Sequence, residues 1–167
     1  MVEPADGGRD EEGVRHFIER FGLDLVEAGM PRMPARVFAA VLVSERGRLT
    51  AAELADQLQV SPAAISGAVR YLVQLRMLGR GREPGERRDH YRVSSDMWYE
   101  VTLQRDQMLA GWEQHLQDGI KAAGPDTAAG ARLEDSRRYF EFLRGQMLLI
   151  MDRWRQVRSE GTSGPGR

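Results

Sequence analysis

The stretch from Leu49 to Leu72, LTAAELADQLQVSPAAISGAVRYL, constrains the fold of this chain more than any other. Thr50-Ala-Ala-Glu53 has the spacing of a capping box, in which the threonine oxygen accepts from the third helical N–H and the glutamate reaches back. It opens a short helix whose apolar residues are Leu54, Ala55 and Leu58. After Gln59-Val60, Ser61-Pro62 starts a second helix, with a serine cap followed by a proline whose missing N–H costs nothing there. This helix is predicted to run to about Leu78, with Gly79 as its stop. With Ile65, Val69 and Leu72 turned to a core, helical geometry points Ala63, Ser66, Gly67, Arg70 and Gln74 the other way. The pattern is a helix-turn-helix whose outward face is small at its N-terminal end. Such a face can sit deep in a DNA major groove, where the first residues of the helix reach base edges.

The next segment, RGREPGERRDHYRV, turns at Pro84-Gly85. Its flanks, about Gly79–Glu83 and Asp89–Val93, are expected to pair as a two-stranded ribbon, which in this position is a wing. Arg87 and Arg88 lie just past the turn, where an arginine can enter the negative potential of a minor groove. Arg80, Arg82 and His90 are candidates for phosphate contacts. The expected DNA-contact set is therefore Thr50, Ser61, Ala63, Ser66, Gly67, Arg70, Gln74, Arg82, Arg87 and Arg88. Arg70 can reach a guanine edge or a phosphate, or pair with a nearby acid instead. Bulk charge is uninformative, with 24 basic and 25 acidic residues, but its distribution is not. From Arg46 to Arg92 nine arginines face five acids, a net +4, whereas Met1 to Gly29 holds eight acids and three arginines, a net −5. A basic middle beside an acidic head suits a local DNA footprint.

Helices are expected on both sides. One runs from about Glu11 to Ala28, with Val14, Phe17, Ile18, Phe21 and Leu25 on one stripe and Gly29 as its stop; another runs from about Pro34 to Glu45, with Phe38, Leu42 and its alanines buried. Beyond the wing, a helix from Asp96 carries Val101, Met108, Leu109, Trp112, Leu116 and Ile120. Gly124-Pro125-Asp126 breaks it, and a last helix spans about Thr127 to Arg158. The expected organisation is a flexible head (1–10), an N-terminal dimerisation helix and loop (11–33), the winged unit (34–95), C-terminal dimerisation helices (96–158) and a flexible tail (159–167). Phe17, Phe21, Leu143, Met147 and Trp154 are the expected dimer contacts, because a small winged unit leaves long apolar helices in need of partners; the same stripes could form the core of a monomeric bundle. Trp98, Tyr99, Met108 and Trp112 either line an effector pocket or belong to the core.

Enzyme chemistry lacks its parts. His16, His90 and His115 fall in separate elements, no cysteine is present, and no phosphate loop, nucleophile elbow or zinc-protease motif occurs. No metal or other cofactor is expected. There is no apolar run of the roughly 18 residues that a membrane span needs. The start, MVEPADGGRDEEG, is acidic without an apolar core, so it is not read as a signal peptide, and a cytoplasmic location is expected.

LTAAELADQLQVSPAAISGAVRYLVQLRML followed by GREPGERRDHYRV, set between long helices, resembles the MarR family of regulators and, more loosely, its GbsR-like branch. The family's wing usually carries an Asp-x-Arg or Asp-Arg-Arg run; here the run is Glu86-Arg87-Arg88, and Asp89 follows the arginines. The resemblance implies a mainly α fold, a winged helix-turn-helix with a short β-hairpin wing between N- and C-terminal dimerisation helices. It also implies a homodimer formed by the first and last helices, which binds double-stranded DNA, here read as a repressor on a pseudo-palindromic operator, and often a small-molecule effector. A winged helix used only for protein contacts is the alternative.

Overall fold

The capping box forms as the spacing requires. Thr50 Oγ1 accepts the Glu53 N–H (3.2 Å), and the Thr50 N–H donates to Glu53 Oε2 (2.7 Å). The computed structural model describes residues 9–82, 85 and 87–162. Along the chain, α1 (Glu11–Glu27) and α2 (Arg32–Val43) precede a strand, β1 (Arg48–Thr50). The helix-turn-helix follows as α3 (Ala51–Leu58) and α4 (Pro62–Gln74), and then the wing strands β2 (Leu78–Arg82) and β3 (Asp89–Val93). Two long helices close the order, α5 (Met97–Ala123) and α6 (Ala128–Thr162). The chain divides into two compact units, Met1–Met97 and Trp98–Arg167.

In the first unit, Val37, Phe38 and Val41 of α2 meet Leu54 of α3 and Ile65 and Leu72 of α4, all fully buried. Each such side chain contributes about 1.5–3 kcal/mol by leaving water. Leu42, expected inside, is 37% exposed; Val37 and Val41 fill that role. Helix α1 belongs to this unit, with Ile18 buried and Gly22 close against Arg36 of α2. It stops at Gly29, whose φ of +98° suits glycine, with Met30 N–H bonded to Leu25 O (2.9 Å).

Two expectations needed correction here. Helix α4 ends at Gln74, not near Leu78. Arg76 takes a left-handed φ of +56°, Arg76 N–H bonds Val73 O (3.0 Å) and Met77 N–H bonds Leu72 O (3.0 Å). That Schellman closure frees Leu78 to begin β2. Gln59 ends α3 in the same way, at φ +53°, with Val60 N–H on Ala55 O (3.0 Å). The wing, in turn, is not a two-stranded ribbon alone. Strand β1 adds to it in the order β1-β3-β2, all antiparallel, with Arg48 opposite Arg92 and Arg82 opposite Asp89. Of the expected Pro84-Gly85 turn, Pro84 lies outside the described residues and Gly85 is an exposed turn residue.

The second unit is an antiparallel helical hairpin. Reading up from its turn, Gly119 approaches Leu133, Trp112 meets Phe140 edge to face (5.3 Å), and Tyr99 lies under Arg155 (3.9 Å). Between them Arg144 of α6 binds two carboxylates of α5, Asp106 (Nε–Oδ1 2.9 Å) and Glu113 (Nη1–Oε2 3.1 Å). Helix α6 runs to Thr162, into the segment expected to be tail. Residues 1–8 and 163–167, the bulk of the expected head and tail, lie outside the described residues. Among the described residues no helix is long and apolar enough to cross a membrane.

Candidate nucleic-acid interface

The period of α4 decides what it can present. Ile65, Ala68, Val69 and Leu72 are buried, while Ala63, Ser66, Gly67, Arg70 and Gln74 are exposed. Ser61 caps the helix, accepting the Ala64 N–H (3.3 Å), and is itself exposed. Pro62 has no N–H and that of Ala64 is held by Ser61, so at this exposed helix start the Ala63 N–H and the helix dipole are what favour an anion such as phosphate. The face is thus a serine-lined start, an alanine and a glycine with no bulk, and then one arginine.

Thr50 does not belong to that face. Its side chain is buried, its hydroxyl accepts from the Glu53 N–H and donates to Glu53 Oε2 (2.9 Å), and both hydrogen-bonding capacities are used in the cap. The backbone N–H of Thr50, its hydroxyl and the positive charge of Arg46 hold the Glu53 carboxyl below its usual pKa, against the smaller effect of burial.

Arg87 and Arg88 are exposed and form no ion pair with any described residue; the same holds for Arg70. With Arg46 and His90 the two wing arginines edge a cleft of about 390 Å³ above Thr50 and Glu53. A second cleft, of about 320 Å³, separates α4 from the sheet and is lined by Ser66, Arg70, Arg80 and Tyr91 among others. Arg80 and Arg82 stand two residues apart on one face of β2, and both bind Asp89 of β3. Arg80 Nε donates to Asp89 Oδ2 (2.9 Å), its Nη2 reaches the same oxygen, and Arg82 Nε donates to Asp89 Oδ1 (2.7 Å). These bonds, Arg82's first and then Arg80's, hold the Asp89 carboxyl below the ordinary carboxylate range. Arg82, expected as a free phosphate contact, is therefore held by an internal anion while its side chain stays 65% exposed.

The structure separates the four aromatic and methionine residues expected to share one pocket. Trp98 and Tyr99 line a strongly apolar cleft of about 470 Å³ with Thr102, Met147, Ile150, Met151 and Trp154. Trp112 instead edges a different groove with His115, Leu116, Leu133 and Phe140, and Met108 lines neither. Met147 and Trp154, expected at a dimer contact, thus belong to the first cleft. Phe17 and Phe21 stack on each other (5.4 Å) on α1, with Phe17 exposed, and Leu143 is half-buried. Reading the sequence missed the Asp89 clamp and the Thr102–Ile150–Met151 wall. The clamp depends on strand register, and the wall on how two distant helices pair.

Comparison with known proteins agrees with this layout. A family model described as MarR family matches residues 28–89, and one described as an MmpR5-like MarR family transcriptional regulator matches residues 96–158. The HTH-type transcriptional regulator MmpR5 of Mycobacterium tuberculosis (strain ATCC 25618 / H37Rv) is 25% identical over 114 residues, 68% of this chain and 69% of that one. A crystal structure of a transcriptional regulator superposes with a TM-score of 0.72 at 23% identity, covering 86% of this chain and 99% of the other, a likeness that speaks for the fold. With both units matched by models of one family and a winged helix-turn-helix between long helices, the chain belongs to the MarR family of DNA-binding transcriptional regulators.

Proposed function

We propose that the protein acts as a homodimeric repressor that binds a pseudo-palindromic operator, one α4 per half-site, and releases it when an apolar effector binds. The observation that carries this reading is the face of α4. Ser61, Ala63, Ser66, Gly67, Arg70 and Gln74 are all exposed, in the same unit as the exposed Arg87 and Arg88. Small residues allow close approach to base edges, and the arginines supply a guanine or phosphate contact and a minor-groove probe. Two-fold symmetry matches half-sites about 34 Å apart.

The dimer reading rests on α6. Tyr139, Phe142, Leu149, Ile150 and Val157 share one side of that helix and are each 50–66% exposed. Exposed apolar side chains repeated along one side of a helix, here interspersed with the exposed Gln146 and Arg153, mark a protein contact, and a second copy of the same hairpin offers a matching one. The effector reading rests on the apolar cleft at Trp98, Tyr99 and Trp154, whose walls are almost wholly aromatic ring, aliphatic chain and thioether, with Thr102 the polar exception.

Sedimentation equilibrium tests the assembly. The wild type is expected to be dimeric at micromolar concentration and to bind a duplex as two chains, with Phe142→Glu shifting the equilibrium toward monomer. A wild type that sediments as a monomer, free and on DNA, overturns it. For the effector, 8-anilinonaphthalene-1-sulfonate is expected to quench the cleft tryptophans and weaken duplex binding; quenching with no effect on DNA affinity counts against a regulatory site.

A further inference from the structure

Two exposed arginines sharing one carboxylate do little for folding, since exposed ion pairs contribute little to stability. Their position suggests another consequence. Asp89 lies on the sheet face of Arg80 and Arg82, directly across the ladder from Arg82 and diagonal to Arg80. Its own side chain is 19% exposed, whereas those of Arg80 and Arg82 are 58% and 65% exposed. Arg80 in turn borders the cleft between α4 and the sheet, facing Ser66 and Arg70. We propose that Asp89 is a specificity-determining residue of the DNA interface: it fixes Arg80 at the mouth of the α4–wing cleft, where Ser66 and Arg70 can share one backbone phosphate with it, and cancels one of the two charges that Arg80 and Arg82 carry. This inference rests on the duplex-binding reading above and names a residue that tunes it.

Two guanidiniums without the carboxylate present +2 to any phosphate, whatever the sequence beneath α4. With the carboxylate they present +1, and the Nε donors of both are occupied, leaving Arg80 aimed by its anchor. Non-specific binding, which is almost wholly phosphate charge, is thereby weakened. Specific binding keeps the aimed Arg80 contact, because phosphate contacts fix register as well as adding affinity. Removing the carboxylate therefore strengthens non-specific binding far more than specific binding, where the lost aim of Arg80 offsets the added charge. The low pKa of Asp89 keeps it charged at every pH at which the protein would meet DNA.

The test compares wild type, Asp89→Asn, Asp89→Glu and Arg82→Gln by fluorescence anisotropy across a salt series. The probes are the best-bound duplex of a set tiled from the region upstream of the gene, and a scrambled duplex of equal length. Asp89→Asn is expected to bind the scrambled duplex about tenfold more tightly at low salt, with a log–log salt slope steeper by about 0.9. It should gain little on the best duplex, so that the specificity ratio falls about tenfold. Asp89→Glu, which restores the charge, should recover most of the ratio, and Arg82→Gln should flatten the slope instead. If Asp89→Asn changes both affinities by the same factor, or leaves the slope unchanged, Asp89 is a surface ion pair and the inference is overturned while duplex binding stands. A wild type that binds neither duplex at low salt overturns the duplex-binding reading, and this inference with it.

Discussion

Two glycine-to-alanine substitutions in helices should move stability in opposite directions, for reasons visible in the structure. Gly130 lies in the first turn of α6, and a Cβ there would collide with the Gly124 carbonyl oxygen and come within 3.1 Å of Gly124 C and Pro125 Cα. These are backbone atoms that cannot swing aside. Gly124 O accepts from Thr127 N–H (3.2 Å) and Thr127 Oγ1 (2.8 Å), and Thr127 Oγ1 accepts from Gly130 N–H (3.0 Å), so displacing the carbonyl disrupts all three. Two turn hydrogen bonds at about 1 kcal/mol each and a helix cap at about 1 kcal/mol outweigh the roughly 1 kcal/mol that alanine gains over glycine in a helix. Gly130→Ala should thus cost about 2 kcal/mol, or about 4–8 °C in Tm for a chain of this size. Gly67, in the middle of α4, has nothing within 4 Å of its would-be Cβ. Gly67→Ala should gain up to about 1 kcal/mol, raising Tm by about 2–4 °C, yet weaken binding to the best duplex by about 1–2 kcal/mol because a methyl now stands on the closest-approaching face. Circular dichroism melts and anisotropy measure both. A Gly130→Ala protein that melts at or above the wild-type temperature would refute the packing argument.

Other expectations follow from single contacts. Thr50→Ala removes the α3 cap and should cost about 1 kcal/mol in a chemical unfolding series, with the salt dependence of DNA binding unchanged, since the residue is a cap rather than a contact. Arg144→Met leaves the shielded Asp106 and Glu113 carboxylates, 16% and 17% exposed, facing each other without a cation; it should destabilise the α5–α6 hairpin by about 2 kcal/mol, less than a fully buried pair would lose. Asp89 has a folded-state pKa below its unfolded one, so its pairing is complete above the unfolded value and is lost as pH falls through the folded value. Carboxyl NMR should place its midpoint below about 3.9, and Arg82→Gln should move it upward; an unmoved midpoint would remove Arg82 as the main cause.

Much of this was legible in the sequence because it is local. The Thr50–Glu53 box, the Ser61-Pro62 start and the 3.6-residue period of α4 are properties of neighbouring residues, and they are sufficient to place Ala63, Ser66, Gly67 and Arg70 outside. What failed was non-local or lacked its usual signal. Strand β1 is three residues long and exists only because Arg48 pairs with Arg92, 44 positions away. The end of α4 was misplaced because the left-handed residue is Arg76 rather than glycine, so the apolar Met77 and Leu78 read as one more helical turn. A helical period identifies Trp98, Tyr99, Met108 and Trp112 as apolar, but which cleft each one lines depends on its opposite number in α6. The Asp89 clamp is invisible for the same reason: Arg80 and Arg82 find it only once β2 and β3 are in register.

The most direct test of the account is the salt dependence of duplex binding by the full chain, with Arg88→Ala alongside, measured by fluorescence anisotropy on the tiled upstream duplexes. One near-palindromic duplex is expected to stand out, with affinity that falls steeply with salt and a log–log slope that Arg88→Ala reduces by about 1. Absence of binding to any duplex at low salt would contradict it, and would mean that the exposed α4 face and the wing arginines serve something other than DNA.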